Sequence, residues 1–241
     1  MNQNERNYQN FIEIESAEVS RSFMSKVFLW MFVALGVTAL TAYVCASSAS
    51  FFSLFFNSVT GSMSILGWVI TFAPLILVFV MSARIDRMSK SAMTGIFVLY
   101  SVLMGMSLSF VFWAYTSASI VKTFLVTAGM FGVMAVAGFT TKTDLTKFGH
   151  IMMMGLVGII IATLVNFFTK SAAMDYVISM IGVLIFTGLT AYDVQKLKQI
   201  GAMSSADEES MSKMVLFGAL SLYLDFINLF LYLLRIFGNR D

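Results

Sequence analysis

Two aspartates stand inside stretches of apolar sequence where a carboxylate is costly to keep. Asp225 lies in Ser221-Leu222-Tyr223-Leu224-Asp225-Phe226-Ile227-Asn228, and Asp193 in Phe186-Thr187-Gly188-Leu189-Thr190-Ala191-Tyr192-Asp193-Val194-Gln195. Ser221, Asp225, Asn228 and Tyr232 follow at helical spacing and share one face, while Leu222, Leu224, Phe226, Ile227, Leu229 and Phe230 fill the others. Thr187, Thr190 and Asp193 recur every third residue as a looser polar edge. Two carboxylates in contact resist double ionisation, so a pair of this kind shares one proton and titrates as a unit. Losing that proton turns the pair into a cation site or drives its helices apart, and either event makes a pH-sensitive gate. A hard cation such as calcium takes about six to eight oxygens. Asp193, Asp225, Ser221 and Asn228 supply several of them, with water and backbone carbonyls for the rest. The plainer role for each aspartate is an interhelical hydrogen-bond anchor, and Asp193 could also reach the headgroups.

The segments that carry these residues are membrane spans. The chain has 241 residues, 59% hydrophobic and 12% charged, against about 25% charged in a soluble domain. A soluble fold of this length could not cover so much apolar surface, whereas lipid can. Runs of about 20 apolar residues cross a bilayer as helices. They fall at Val27–Ser47, Met63–Ala83, Ala92–Trp113, Ile120–Thr140, Gly149–Phe168, Met174–Val194 and Met214–Phe237. The expectation is an all-α seven-helix bundle: a polar cytoplasmic tail over residues 1–22, then one domain over 23–241. The tail is acidic (Glu5, Glu13, Glu15, Glu18), unlike the basic start of a signal peptide, so the first span reads as an uncleaved anchor. At about 1.5 Å per residue, Asp225 lies about 16 Å beyond Met214. The aspartates meet only if the sixth helix continues to about Ile200 and the seventh enters the core later than Met214.

Basic residues set the orientation. Arg6, Arg21, Lys26, Arg84, Arg87, Lys90, Lys142, Lys147, Lys196, Lys198 and Lys213 fall on one side, against Lys122, Lys170, Arg235 and Arg240 on the other. The first set is expected in the cytoplasm, with the N-terminus. A re-entrant last segment would return Arg235 and Arg240 to that side.

Other features have structural explanations. Small residues at Ser101, Gly105 and Ser109, and at Gly158 and Ala162, suit close helix packing. Pro74 is expected to kink the second span. Cys45 is the lone cysteine and reads as apolar filler; His150 is the lone histidine and reads as a loop or interfacial residue. The net charge of +2 and the lack of a basic, aromatic-interleaved run point away from nucleic acid. The Asp207-Glu208-Glu209 cluster reads as a solvated turn.

Three motifs resemble those of the Bax inhibitor-1 family, bacterial branch. They are Tyr192-Asp193 followed by Gln195 and Leu197; Leu222 through Phe230; and Lys26-Val27-Phe28-Leu29-Trp30-Met31 with Thr38-Ala39-Leu40-Thr41-Ala42-Tyr43. The resemblance covers the chain beyond the tail. It implies a bacterial inner-membrane protein whose seventh helix is held between two three-helix layers. It also implies a di-aspartyl pH sensor at Asp193 and Asp225 and a pH-dependent calcium leak. An arginine at the end of the second helix can pair with that sensor in the family; Arg84 or Arg87 would stand for it here, or the pairing is absent. No resident cofactor is expected, and calcium enters only as a transported ion. The alternative is a non-transporting regulator of another membrane protein, such as a membrane-bound protease. An enzyme is not expected. Intramembrane aspartyl proteases carry Gly-x-Gly-Asp and Pro-Ala-Leu, where this chain has Leu222-Tyr223-Leu224-Asp225 and Ala73-Pro74-Leu75.

Overall fold

A computed structural model describes residues 3–56, 62–84, 87–203 and 207–239, with side chains from residue 18 onward. The helices are α1 (Gln3–Ala46), α2 (Ala49–Phe55), α3 (Ile65–Arg84), α4 (Lys90–Leu108), α5 (Val111–Ala114), α6 (Ser117–Thr140), α7 (Thr146–Thr169), α8 (Ala172–Met203) and α9 (Glu208–Phe237). Seven segments are long and apolar enough to cross a membrane, the first from Glu18 and the third taking α4 and α5 together. Each coincides with one of the seven expected spans. Among the described residues no strand forms, only an isolated bridge between Phe56 and Met63.

Several boundaries differ from the apolar runs for physical reasons. No helix breaker follows Val194, and α8 continues to Met203. α9 starts at Glu208 because the Asp207 carboxylate accepts the Ser210 amide at 3.3 Å and caps the helix. Glu208 and Glu209 then lie against its positive end, so the acidic cluster is a helix start as well as a solvated turn. The third span is interrupted. Ser109 N donates to Met106 O, Phe112 N donates to Ser109 O, and Ser109 Oγ bonds Met106 O at 2.7 Å, a tightened turn that separates α4 from α5. Helix α3 runs through a buried Pro74 without ending.

α9 is the centre of the bundle. It packs on α1, α4, α6 and α8, while α3 packs on α4 and α7 on α8 at the outside. The layers are therefore α1, α3, α4 and α6, α7, α8, as the resemblance implies. Its first end lies beside the end of α8, where Lys198 Nζ donates to the Phe139 carbonyl at the end of α6. At its far end Asn239 N donates to Ser119 Oγ and Thr116 N donates to Asn239 O, both at the start of α6. α9 thus spans the same thickness as α6, and the re-entrant alternative is not what forms. Arg235 stays at the end opposite Lys198; Arg240 lies outside the described residues.

Outward faces are apolar: Phe168 is 81% exposed, Met154 74% and Leu184 70%. Lipid is the solvent that suits such a surface. Between helices in lipid the hydrophobic driving force largely vanishes, so close contact and interhelical hydrogen bonds must hold the bundle. Gly105 serves the contact: a Cβ there would sit 2.6 Å from the Thr38 carbonyl of α1. Thr38 Oγ1 donates to the Ser101 carbonyl at 3.0 Å and lies 2.8 Å from the Tyr223 hydroxyl, joining α1, α4 and α9. In the second small-residue pair, Ala162 is half-buried against the core but Gly158 behaves otherwise. Gly158 is exposed with open space around it, so it brings no helix of this chain closer.

Candidate functional site

The sixth and seventh spans pack against each other along a seam between α8 and α9. Two contacts fix the antiparallel register of the seam. Ser221 Oγ donates to Asp193 Oδ2 at 2.6 Å, and Tyr232 lies on Gly182, where a Cβ would come within 2.7 Å of its ring. Asp225, one turn beyond Ser221, projects from the same face of α9. The extension of α8 past Ile200 satisfies the first condition for the aspartates to approach, and the buried part of α9 begins at Val215.

The two carboxyls are held differently. Asp193 is half-buried, bonded to Ser221, and feels the charge of Lys196 one turn along α8. Asp225 is 5% exposed, and its Oδ2 has no hydrogen-bond partner. The charge that reaches it is that of Asp193. Thr187 Oγ1, on α8, is also buried without a partner. A central carboxyl lacking a partner is the least economical feature of the fold, since buried polar atoms are nearly always paired.

Other candidates lie elsewhere or bond their own helix. Thr190 is fully buried and donates to the Phe186 carbonyl. Asn228 Nδ2 donates to Leu224 O at 2.8 Å. Tyr232 stacks on Phe186 at 5.8 Å and lies under Arg235, whose guanidinium is 3.6 Å from Asp175. It belongs to the far end of the seam. Arg84 and Arg87 are exposed at and after the end of α3. Neither forms an ion pair with Asp193 or Asp225, the Arg235–Asp175 pair being the one ion pair among the described residues. The described residues also bring together no group of three or more His, Cys, Asp or Glu that could hold a metal ion. His150 is exposed near the start of α7, and Cys45 is buried and free.

Sequence reasoning missed the supports of the seam. Gln195, 6% exposed, donates through Nε2 to Thr143 O and accepts the Leu145 amide at Oε1, each at 2.8 Å. It ties the α6–α7 loop to α8 two residues from Asp193. Gly138 lets α6 touch α8 backbone to backbone, because any Cβ there would collide with the Ala191 carbonyl. A glutamine two residues after the aspartate was the available signal for the first. Nothing distinguishes Gly138 from the other glycines of α6 in the sequence.

The fold and the seam define a seven-helix integral membrane protein with one buried aspartate on its central helix and a second, half-buried, on that helix's principal neighbour. Comparison with known proteins gives the family. The family model for "Inhibitor of apoptosis-promoting Bax1" matches residues 20–241, and the chain belongs to this Bax inhibitor-1 family. It is 49% identical over 221 residues to the inner membrane protein YbhL of Escherichia coli strain K12, covering 91% of this chain and 92% of that protein. A Borreliella burgdorferi protein is 45% identical over 223 residues, covering 92% and 94%. A Caulobacter vibrioides protein is 38% identical over 250 residues, covering both chains in full.

Proposed function

We propose that the seam between α8 and α9 is a proton-operated gate on a leak path for calcium or a similar cation across a bacterial inner membrane. The observation that carries this is Asp225: a buried carboxyl with an unpartnered oxygen, electrostatically in reach of a second carboxyl on the adjacent helix. When both are protonated the seam is neutral and closed by packing. When both ionise, like charges press the helices apart and offer oxygens to a passing cation. Ser221, Asn228 and Thr190 would extend that path once their present bonds to Asp193 and to their own backbones open. Arg84 or Arg87 would act only if the end of α3 moved toward the seam. No bond-making chemistry enters this reading. The eleven basic residues on the N-terminal side support a cytoplasmic position for that side, and the name of the Escherichia coli relative supports the inner membrane.

The test is reconstitution in liposomes with calcium entry followed by an internal dye as external pH is stepped from about 5 to 8, a range that spans carboxyl titration in buried sites. Flux that depends on pH in the unmodified chain, and is locked at one level in Asp193→Asn and Asp225→Asn, supports the gate. A second reading, a regulator that docks on another membrane protein such as a protease, draws on the exposed Gly158 of α7, which has open space around it. Absence of flux above empty liposomes from well-folded protein would favour it.

A further inference from the structure

At the lysine-rich end of the bundle, α1, α4 and α9 enclose a cavity of about 470 Å³. Its floor is apolar, with Val215 3% and Leu216 2% exposed. Half-buried Trp30 forms one wall, edge-on to Phe97 at 6.3 Å. The rim is charged and exposed: Lys26 from α1, Lys90 from the start of α4 and Glu208 from the start of α9. Among the described residues no ion pair joins either lysine to the glutamate. A second hollow shares Lys90 and Glu208 and adds Glu209. The cavity sits at headgroup height, because the next turn of α1 above Lys26 already faces lipid, with Leu29 60% and Phe32 63% exposed.

We propose that this cavity binds a bilayer phospholipid whose headgroup carries both a phosphate and a primary ammonium. The phosphate fits between Lys26 and Lys90, which are free to donate to it. The ammonium fits Glu208, with Glu209 behind it. The glycerol and the first acyl carbons cover Trp30, Val215 and Leu216. Basic pockets between transmembrane helices recognise lipid phosphates in this way. The acidic half of the rim distinguishes this site from one for purely anionic lipids, since an anionic head without an ammonium leaves both glutamates facing a like charge. A choline head carries no N–H for Glu208. A soluble phosphate would leave the apolar floor uncovered.

Native mass spectrometry of the full chain in detergent, offered equal phosphatidylethanolamine, phosphatidylcholine and phosphatidylglycerol, tests this directly. Phosphatidylethanolamine should be retained about tenfold over either other lipid, the scale of one well-placed ionic hydrogen bond. Lys26→Gln with Lys90→Gln should abolish retention. Glu208→Gln should erase the preference over phosphatidylglycerol. The substituted side chains are exposed, and thermal unfolding of each variant checks that the fold is kept. Equal retention of the three lipids, or a preference that survives loss of both lysines, would overturn the site. A wild-type preference for phosphatidylglycerol would overturn the role of Glu208. Displacement of the lipid by inorganic phosphate would overturn the lipid as occupant.

Discussion

At the scale of single residues, Asp193 and Asp225 part company. Asp193 gains a donor from Ser221 and therefore contributes to helix association as well as to any gate. Asp225 has an oxygen that nothing satisfies, so an anchoring role explains it poorly. Leucine has the shape of aspartate without the polar atoms, and removing an unsatisfied buried polar group recovers about 1–3 kcal/mol. We expect Asp225→Leu to leave thermal stability in detergent unchanged or raised while removing pH-dependent flux. A marked loss of stability would show Asp225 to be structural. Ser221→Ala should cost about 0.6 kcal/mol, the average for an interhelical hydrogen bond in a membrane. It should also move the pH at which flux changes, since it frees the Asp193 carboxylate. Both aspartates were legible in the sequence because ionisable residues inside apolar runs are rare. The lack of a partner at Asp225 was not legible, because it depends on which side chains α8 presents one turn away.

At the scale of elements, the seam is only as well positioned as the helices that brace α8. Gly138 and Gln195 set α6 and the following loop against it. We expect Gly138→Val to destabilise the chain by about 1–3 kcal/mol or more, as overpacking does, measured by thermal unfolding in detergent. Little effect there would mean that α6 and α8 are free to separate. The same loop holds Asp144, whose carboxylate accepts the Thr146 amide at 2.9 Å and its hydroxyl at 2.6 Å. These bonds hold its carboxyl below the usual range. The stabilisation they bring is present above the unfolded-state value of about 3.9 and is lost as pH falls through the lower folded one. Asp144→Asn should therefore lower the unfolding temperature more at pH 7 than at about pH 2; an equal loss at both would refute a charge-dependent bond. The helices themselves were legible from run length. Their ends were not: the sixth apolar run stops at Val194 and the seventh begins at Met214, whereas the α8 backbone continues until Met203 and α9 starts at the Asp207 cap. The break at Ser109 was hidden too, since a serine within an apolar run reads equally as a packing residue, which it also is, being fully buried.

For the whole molecule, the arrangement is a central α9 sheathed by two layers, with basic residues gathered at the end where α8 and α9 meet. The layers were implied by family resemblance, while composition and run length alone supported only a bundle of seven. The proposed orientation rests on charge alone, and cysteine labelling tests it. In a Cys45→Ala background, a membrane-impermeant thiol reagent applied to intact cells should react at Lys170→Cys and not at Lys196→Cys; the reverse pattern would invert the topology. The central claim is that the two aspartates act as one titrating unit that controls flux. Its most direct test is a double-mutant cycle on the pH dependence of calcium entry in liposomes, comparing Asp193→Asn, Asp225→Asn and the double variant. Groups that act as a unit are non-additive, so each single substitution should remove the pH dependence as fully as both together. If each single variant keeps part of the dependence and the two effects add, the aspartates titrate independently and the shared gate is wrong.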